Sequence, residues 1–440
     1  NRENTSLACT SCIAGTTPAG DGSCKACSGA DNVRTVLMCW LLFSALCVVY
    51  YVADMEDGAT QGKAGLLIWL SIGQMFVLFQ QLSVLLEIGV NWPRPLSDLL
   101  SILTVVDFDL SSDCIVPLSP LGRFASRVIV VFGIFTQLLV IHITVVGIGS
   151  TWRVWRVRAT SLWGSMGTTF MAVLLSIVSG MVGPLQCMDH PNGHRTMRGE
   201  DAVVCWNDEF GSDHQGMVAL SFVACLMPIA FLTVAATAVL RLPSKLRSGD
   251  TEFLRKHSFL FKRFRLDCPW YVLAFLAKSV VLALVPVLPE VSLQFCTMAV
   301  VVLATLCINS RLAPWRIKEA NDLDTFLGAV FLMVLVSGAL LVERSDGKTL
   351  GLFAVVVIVL GFAGIFSMVV LSVYLRFLRR GKPYQFFICH HKVAAGNFAR
   401  LLKIHLLEHK KVRRNVFVDS DDLRDLNALF TYIKDDLETL

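Results

Sequence analysis

Charge is scarce in this chain of 440 residues: 17% are Asp, Glu, Lys or Arg, while 55% are hydrophobic. So little charge, with a mean hydropathy of +0.62, excludes an ordinary soluble protein of this size and assigns most of the chain to a lipid bilayer. The net charge of +5 is modest, and the basic residues cluster beside apolar runs without interleaved exposed aromatics, which argues against a nucleic-acid partner. No signal peptide precedes the first cysteines. Residue 1 is Asn, and Asp436 to Leu440 stop inside a helical pattern, so the chain reads as a fragment.

A helix needs roughly 20 mostly apolar residues to cross the hydrocarbon core. Nine segments approach or meet this: Val33 to Val52, Leu66 to Val90, Phe124 to Ile148, Leu162 to Leu185, Met217 to Leu240, Trp270 to Leu288, Ser292 to Ile308, Thr325 to Val342, and Leu352 to Leu375. Leu96 to Leu110 is shorter, contains Asp98 and ends at Asp107 and Asp109, so it reads as an interfacial or re-entrant piece. Loop charge tests the count independently, because cytoplasmic loops collect Lys and Arg. Arg153, Arg156 and Arg158, the eight basic residues from Arg241 to Arg265, Arg311 with Arg316 and Lys318, and Arg376 with Arg379 and Arg380 all fall on one side. The loop from Asp189 to Asp213, with Glu200, Asp201, Asp208 and Glu209, falls on the other. Ala53 to Lys63 is the exception, an acidic loop on the basic side. This predicts an extracellular or lumenal N-terminus, a cytoplasmic C-terminus and residence in the plasma membrane.

Cys9, Cys12, Cys24 and Cys27 form C-x2-C-x11-C-x2-C, a spacing open to zinc or to disulfides. An outside location favours disulfides, and the Gly, Thr and Pro residues between the pairs need cross-links to hold a fold. Cys187 and Cys205 are disulfide candidates in the acidic loop, where His190, His194 and His214 read as solvated histidines rather than a metal site. The N-terminal cysteine pattern resembles one repeat of the cysteine-rich ectodomains of growth-factor and ephrin-type receptors.

Ionisable groups at membrane depth are costly and therefore candidates for function. Lys278, Glu87 and His142 are the three, accompanied by Gln74, Gln80, Gln81 and Gln137; the bland alternative is that all of them hydrogen-bond between helices. Gln74, Asn91-Trp92-Pro93, Asp107 to Leu110 leading to Cys114, the Cys187 to Cys205 loop, and Leu312-Ala313-Pro314-Trp315 with Asn321 form a set of landmarks. Over residues 30 to 376 this arrangement resembles protist-type multi-pass membrane proteins with a region similar to transient-receptor-potential (TRP-like) proteins and the fungal flavin-carrier family. Only Glu343 to Gly351 separates the last two spans, too short for a pore helix and filter, so the resemblance supports the fold more than conduction.

After Lys382-Pro383 the period changes. Tyr384 to Cys389 reads as a strand, Phe398, Leu401, Leu402, His405 and Leu406 as one face of a helix, and Val416-Phe417-Val418 as a second strand, the opening of a doubly wound domain. These residues, followed by the acidic loop, resemble the first strand, first helix, second strand and BB loop of a TIR domain. The resemblance implies homotypic TIR partners through Ser420, Asp421, Asp422, Leu423, Arg424 and Asp425, a stretch that is otherwise a solvated turn. Some TIR domains cleave NAD with a glutamate on a later helix. No residue here occupies that position, so no catalytic residue, cofactor or metal is assigned and the chain is not read as an enzyme.

The expectation is an all-α polytopic bundle of about nine spans (residues 31–376) with a disulfide-rich N-terminal module (1–30) and the start of an α/β, flavodoxin-like, TIR-like domain (377–440). Its expected function is that of a receptor-like membrane protein coupling the outer module to the inner signalling domain. A TRP-like channel or transporter regulated by its TIR-like end, and a membrane-anchored NAD hydrolase, are the alternatives.

Overall fold

An apolar stretch in lipid satisfies its backbone amides most simply as an α-helix, and each of the nine stretches falls on a helix of the computed structural model. The structure describes residues 16–18, 24–26, 29–56, 63–88, 90, 92–93, 96–103, 118–148, 152–190, 193–206, 213–265, 267–341, 348–374, 384–388, 396–408, 412 and 415–418. Among these, six helices are long and apolar enough to cross a membrane: Leu67–Leu86, Pro120–Gly147, Ala159–Leu185, Asp213–Arg247, Val291–Leu312 and Lys318–Leu341. Three shorter apolar helices, Val36–Val52, Tyr271–Val287 and Ala354–Ser367, accompany them. The chain is an integral membrane protein built mainly as a helical bundle.

It divides into two units, residues 1–57 with 73–363 and residues 58–72 with 364–440. In the first, a short antiparallel pair, β1 (Thr16–Pro18) and β2 (Cys24–Ala26), precedes α1 (Gly29–Glu56). Then come α2 (Lys63–Leu86), which begins in the other unit, α3 (Leu96–Leu103), α4 (Pro120–Ile148) and α5 (Trp152–Val182). At eight residues α3 is too short to cross a membrane. A three-stranded antiparallel sheet follows, β3 (Cys187–Asp189), β4 (Arg195–Met197) and β5 (Glu200–Val204), within the acidic loop. Gly193 and Gly199, both at φ +80°, supply the left-handed residues that its two tight turns require. The bundle continues with α6 (Asp213–Arg247), α7 (Thr251–Lys256), α8 (Ser258–Phe261), α9 (Tyr271–Leu284), α10 (Val291–Leu312), α11 (Lys318–Leu341) and α12 (Lys348–Val373).

Local chemistry sets several ends. Ser119 caps α4, its Oγ accepting the Gly122 N–H at 3.1 Å, and Pro120 fills the first helical position, where a missing N–H costs nothing. Asp250 caps α7 by accepting the Phe253 N–H at 3.0 Å. Ala313 stops α10 by taking a left-handed φ of 43°, a conformation that costs an L-residue about 1–2 kcal/mol, and Pro314 prevents resumption. Inside the bundle, Phe135, Phe170, Phe231 and Phe259 stack in series across α4, α5, α6 and α8, with successive ring centroids 5.3, 4.3 and 6.5 Å apart. Gly167 lets Phe259 into this series: a Cβ there would lie 2.3 Å from the ring.

In the second unit, β6 (Tyr384–Ile388) and β7 (Asn415–Val418) pair in parallel, with α13 (Gly396–Glu408) as the crossover. Val416, Phe417 and Val418 are fully buried, as expected of a strand covered on both faces. A strand, helix and parallel strand is what the period change after Pro383 predicted.

Candidate functional site

Several of the expected site residues fall into two clusters in the first unit, one gathered by the sheet and one by the turn between α10 and α11. Cys187, at the start of β3, is joined to Cys205, just past β5, by a disulfide spanning 18 residues. Beside it sits His214. It was expected to be a solvated loop residue, but it lies in the first turn of α6 and is 2% exposed. Its Nε2 donates to the Pro184 carbonyl at 3.0 Å and its Nδ1 accepts the Trp206 N–H at 3.3 Å, so both ring nitrogens are used in fastening the chain on either side of the sheet to α6. The ligand atoms of Cys187, Cys205 and His214 all lie within 4.8 Å of one another, but the two sulfurs are bonded to each other and offer no thiolate.

Two polar contacts tie the same sheet to other helix ends. Arg123, in the first turn of α4, makes a bidentate pair with Glu200 of β5, Nε to Oε1 at 2.9 Å and NH2 to Oε2 at 2.5 Å. Glu87, just past α2, accepts the Ser179 hydroxyl of α5 at 2.8 Å and the Gln186 amide at 3.2 Å, while the Arg198 guanidinium donates to the Glu87 carbonyl. Glu87 is thus the centre of a clamp, with Ser179, Gln186 and Arg198 as partners that sequence alone did not single out.

Lys278, on α9, belongs to the second cluster. It lies near Asp324 of α11, whose carboxylate accepts the Trp315 indole N–H at 2.9 Å. Asn321 closes the turn around Trp315: its Oδ1 accepts the Trp315 N–H at 2.9 Å, and its Nδ2 donates to the carbonyls of Trp315 and Ile317. Asn309 of α10 donates to Thr325 Oγ1 at 2.9 Å, and Gln74 of α2 donates to the Ala320 carbonyl at 3.0 Å. The Trp315 ring packs on Phe264 with centroids 4.8 Å apart, and Arg265 N–H to Pro314 O at 2.8 Å with Arg316 N–H to Arg263 O at 3.0 Å stitch the two turns together.

His142, the third ionisable candidate, is fully buried on α4 and shares a 2.7 Å hydrogen bond with Tyr50 of α1. Gln80 donates to Ser176 at 2.9 Å, the interhelical role expected of it. Cys24 opens β2; Cys9, Cys12 and Cys27 lie outside the described residues, as do Asn91, Asp107 to Cys114 and the acidic stretch from Ser420 to Asp425.

Together these groups hold helix ends and a sheet in fixed relation. The chain matches no known family model, no curated protein and no solved structure.

Proposed function

We propose that this chain is a receptor-like membrane protein that crosses the bilayer nine times and couples an outer cysteine-rich module to an inner TIR-like signalling domain. The observation that carries the reading is the disulfide-closed sheet: Glu200 of β5 pairs with Arg123 of α4, Gln186 and Arg198 beside the strands bond Glu87 at the end of α2, which in turn holds Ser179 of α5, and Trp206 just past β5 bonds His214 of α6. A displacement of that sheet by a ligand is thereby transmitted to four helices, which no free loop could do.

The crossing pattern has its own support. With nine crossings, the ends of α2 and α5 and the starts of α4 and α6 share one side, and these are the ends the sheet gathers. The turns at Phe264 and Trp315 share the other side, and these pair with each other. A disulfide in the first set favours the oxidising side for it, and the basic residues of the second set favour the cytoplasm. The strand-helix-parallel-strand unit of β6, α13 and β7 is compatible with a TIR-like start.

The test is to cluster the N-terminal module on intact cells with a bivalent antibody to an inserted epitope and to read proximity between C-terminal domains by energy transfer. Proximity is expected to rise in the wild type and not when the sheet is uncoupled by Arg123→Ala with Glu87→Ala. An epitope accessible only after permeabilisation defeats the orientation, and an equal response in the uncoupled variant defeats the coupling.

The Lys278 and Asp324 charges favour a second reading, a TRP-like channel or transporter, since paired charges at membrane depth are a common feature of ion pathways. Ion flux into liposomes that is lost in Lys278→Ala would favour it over the receptor.

A further inference from the structure

Where α6 leaves its apolar stretch, α6 and α7 line an open cavity of about 410 Å³, within the range of small-ligand sites. Its lining changes character along the helix. Thr237 and Ala238 belong to the apolar part of α6, whereas Arg241 and Lys245 follow one and two turns later. Phe253, Lys256 and His257 close the cavity from α7 and the residue after it. Asp250 and Glu252 also line the cavity, so its wall carries three cations, Arg241, Lys245 and Lys256, against two carboxylates, a small positive excess within a segment, Arg241 to Arg265, that has eight Lys or Arg against those two.

The cations are positioned rather than merely present. Lys245 Nζ is held by Asp250 at 2.8 Å, and Lys256 Nζ lies 4.4 Å from the centroid of the Trp163 ring; each retains ammonium protons for another acceptor. His257 Nδ1 donates to the Phe253 carbonyl at 3.0 Å, which leaves Nε2 as an acceptor for a ligand hydroxyl. Arg241 is exposed and has no ion-pair partner among the described residues, leaving its planar fork open to a bidentate oxyanion.

We propose that this cavity binds the phosphate-bearing headgroup of an anionic membrane lipid. Phosphate is the anion whose geometry suits a guanidinium fork beside two ammonium groups. The cavity also sits where a helix passes from hydrocarbon to water, and basic cavities between membrane helices at that depth take lipid headgroups. Phe253 decides between a lipid and a free phosphate ester: its half-buried ring offers apolar surface to a glycerol and acyl chain, which a soluble anion does not need. The inference requires α6 to cross the membrane but is independent of which side is cytoplasmic.

The test uses the full chain reconstituted in phosphatidylcholine nanodiscs doped with phosphatidylinositol bisphosphate, or with phosphatidylserine at matched charge, and native mass spectrometry to count retained lipid. Retention of the inositol lipid is expected in the wild type, weakened about tenfold in Arg241→Gln and only partly restored in Arg241→Lys, which keeps the charge without the fork. It should be unchanged in Arg247→Gln, which removes an exposed cation from the same helix end outside the cavity. Equal losses in Arg241→Gln and Arg247→Gln overturn the proposal in favour of diffuse charge. So does soluble inositol trisphosphate or inorganic phosphate binding as tightly as the lipid, because the site would then belong to a free anion. Absence of retained inositol lipid in the wild type overturns it outright, and unchanged melting of Arg241→Gln establishes that its loss is not unfolding.

Discussion

Changing both Cys187 and Cys205 to serine opens a loop with a sequence separation of 18 residues. In the chain-entropy account, closing a loop of that length lowers the entropy of the open state by about 11 cal/mol/K, or about 3 kcal/mol at room temperature. The cost falls on the sheet rather than on the whole bundle, because the apolar helices are held by their own burial while β3, β4 and β5 are three to five residues long. Local opening of the sheet should therefore become about a hundredfold more frequent, at 1.4 kcal/mol per decade. Hydrogen exchange read by mass spectrometry on nanodisc-embedded protein measures this directly. The amides of residues 195–204 should exchange about a hundredfold faster in the double variant, while those of α5 and α11 keep wild-type rates. The double change is needed because a single one leaves a thiol against His214, 3.9 Å from Cys187 Sγ. A change below about threefold at residues 195–204 would refute the reasoning, since Arg123, Glu87 and His214 would then hold the sheet unaided.

The Arg123 and Glu200 pair, with side chains 27% and 11% exposed, should show a coupling of about 2 kcal/mol in a double-mutant cycle of alanine variants, measured by thermal melting; additive single effects would remove it as a fastening. Gly167→Ala should cost about 1–3 kcal/mol by forcing a Cβ into the Phe259 ring, and Phe259→Ala in the same chain should abolish that increment, a relation a simple helix-propensity effect would not show. Burial pushes the His257 imidazole below its ordinary value of 6.5, so the unfolded chain takes up a proton at higher pH than the folded one. Stability should then fall on acidification from about pH 7 down to that lowered value, with no further loss from this group below it; the slope should flatten in His257→Gln in denaturation series across that window.

The helices were legible because a period-free apolar run leaves the chain no alternative in lipid, and their departures from the reading have local causes. The helix under Leu162 to Leu185 starts at Trp152, because the basic segment before it also has good helix formers. Likewise α11 starts at Lys318, before Thr325: Glu319 suits its first turn, and Asn321 and Asp324 are drawn into the helix by their bonds to Trp315. The sheet was not legible, since strands of three residues carry too little alternation to register. His214 was read as a loop histidine for the same reason: nothing in Asp213-His214-Gln215 shows that a disulfide, a proline carbonyl and a tryptophan amide converge on it.

The same logic explains why Lys278 alone was suggestive and Asp324 was not noticed. An ionisable residue inside an apolar run stands out, whereas Asp324 lies one residue before the run that begins at Thr325 and reads as part of an ordinary polar turn. Its role depends on a partner 46 positions away and on an indole brought in by the left-handed Ala313. Removing Lys278 leaves Asp324 its bond from the Trp315 N–H, while removing Asp324 takes the nearby carboxylate from Lys278 and the acceptor from the indole, the more costly loss in a low dielectric. Lys278→Met should therefore destabilise the bundle less than Asp324→Leu, and Lys278→Met with Asp324→Leu should recover part of the greater loss. That ordering in thermal melts belongs to a structural pair. If the single variants instead leave melting unchanged and alter ion flux alone, the charges serve a pathway, and the receptor reading yields to the channel.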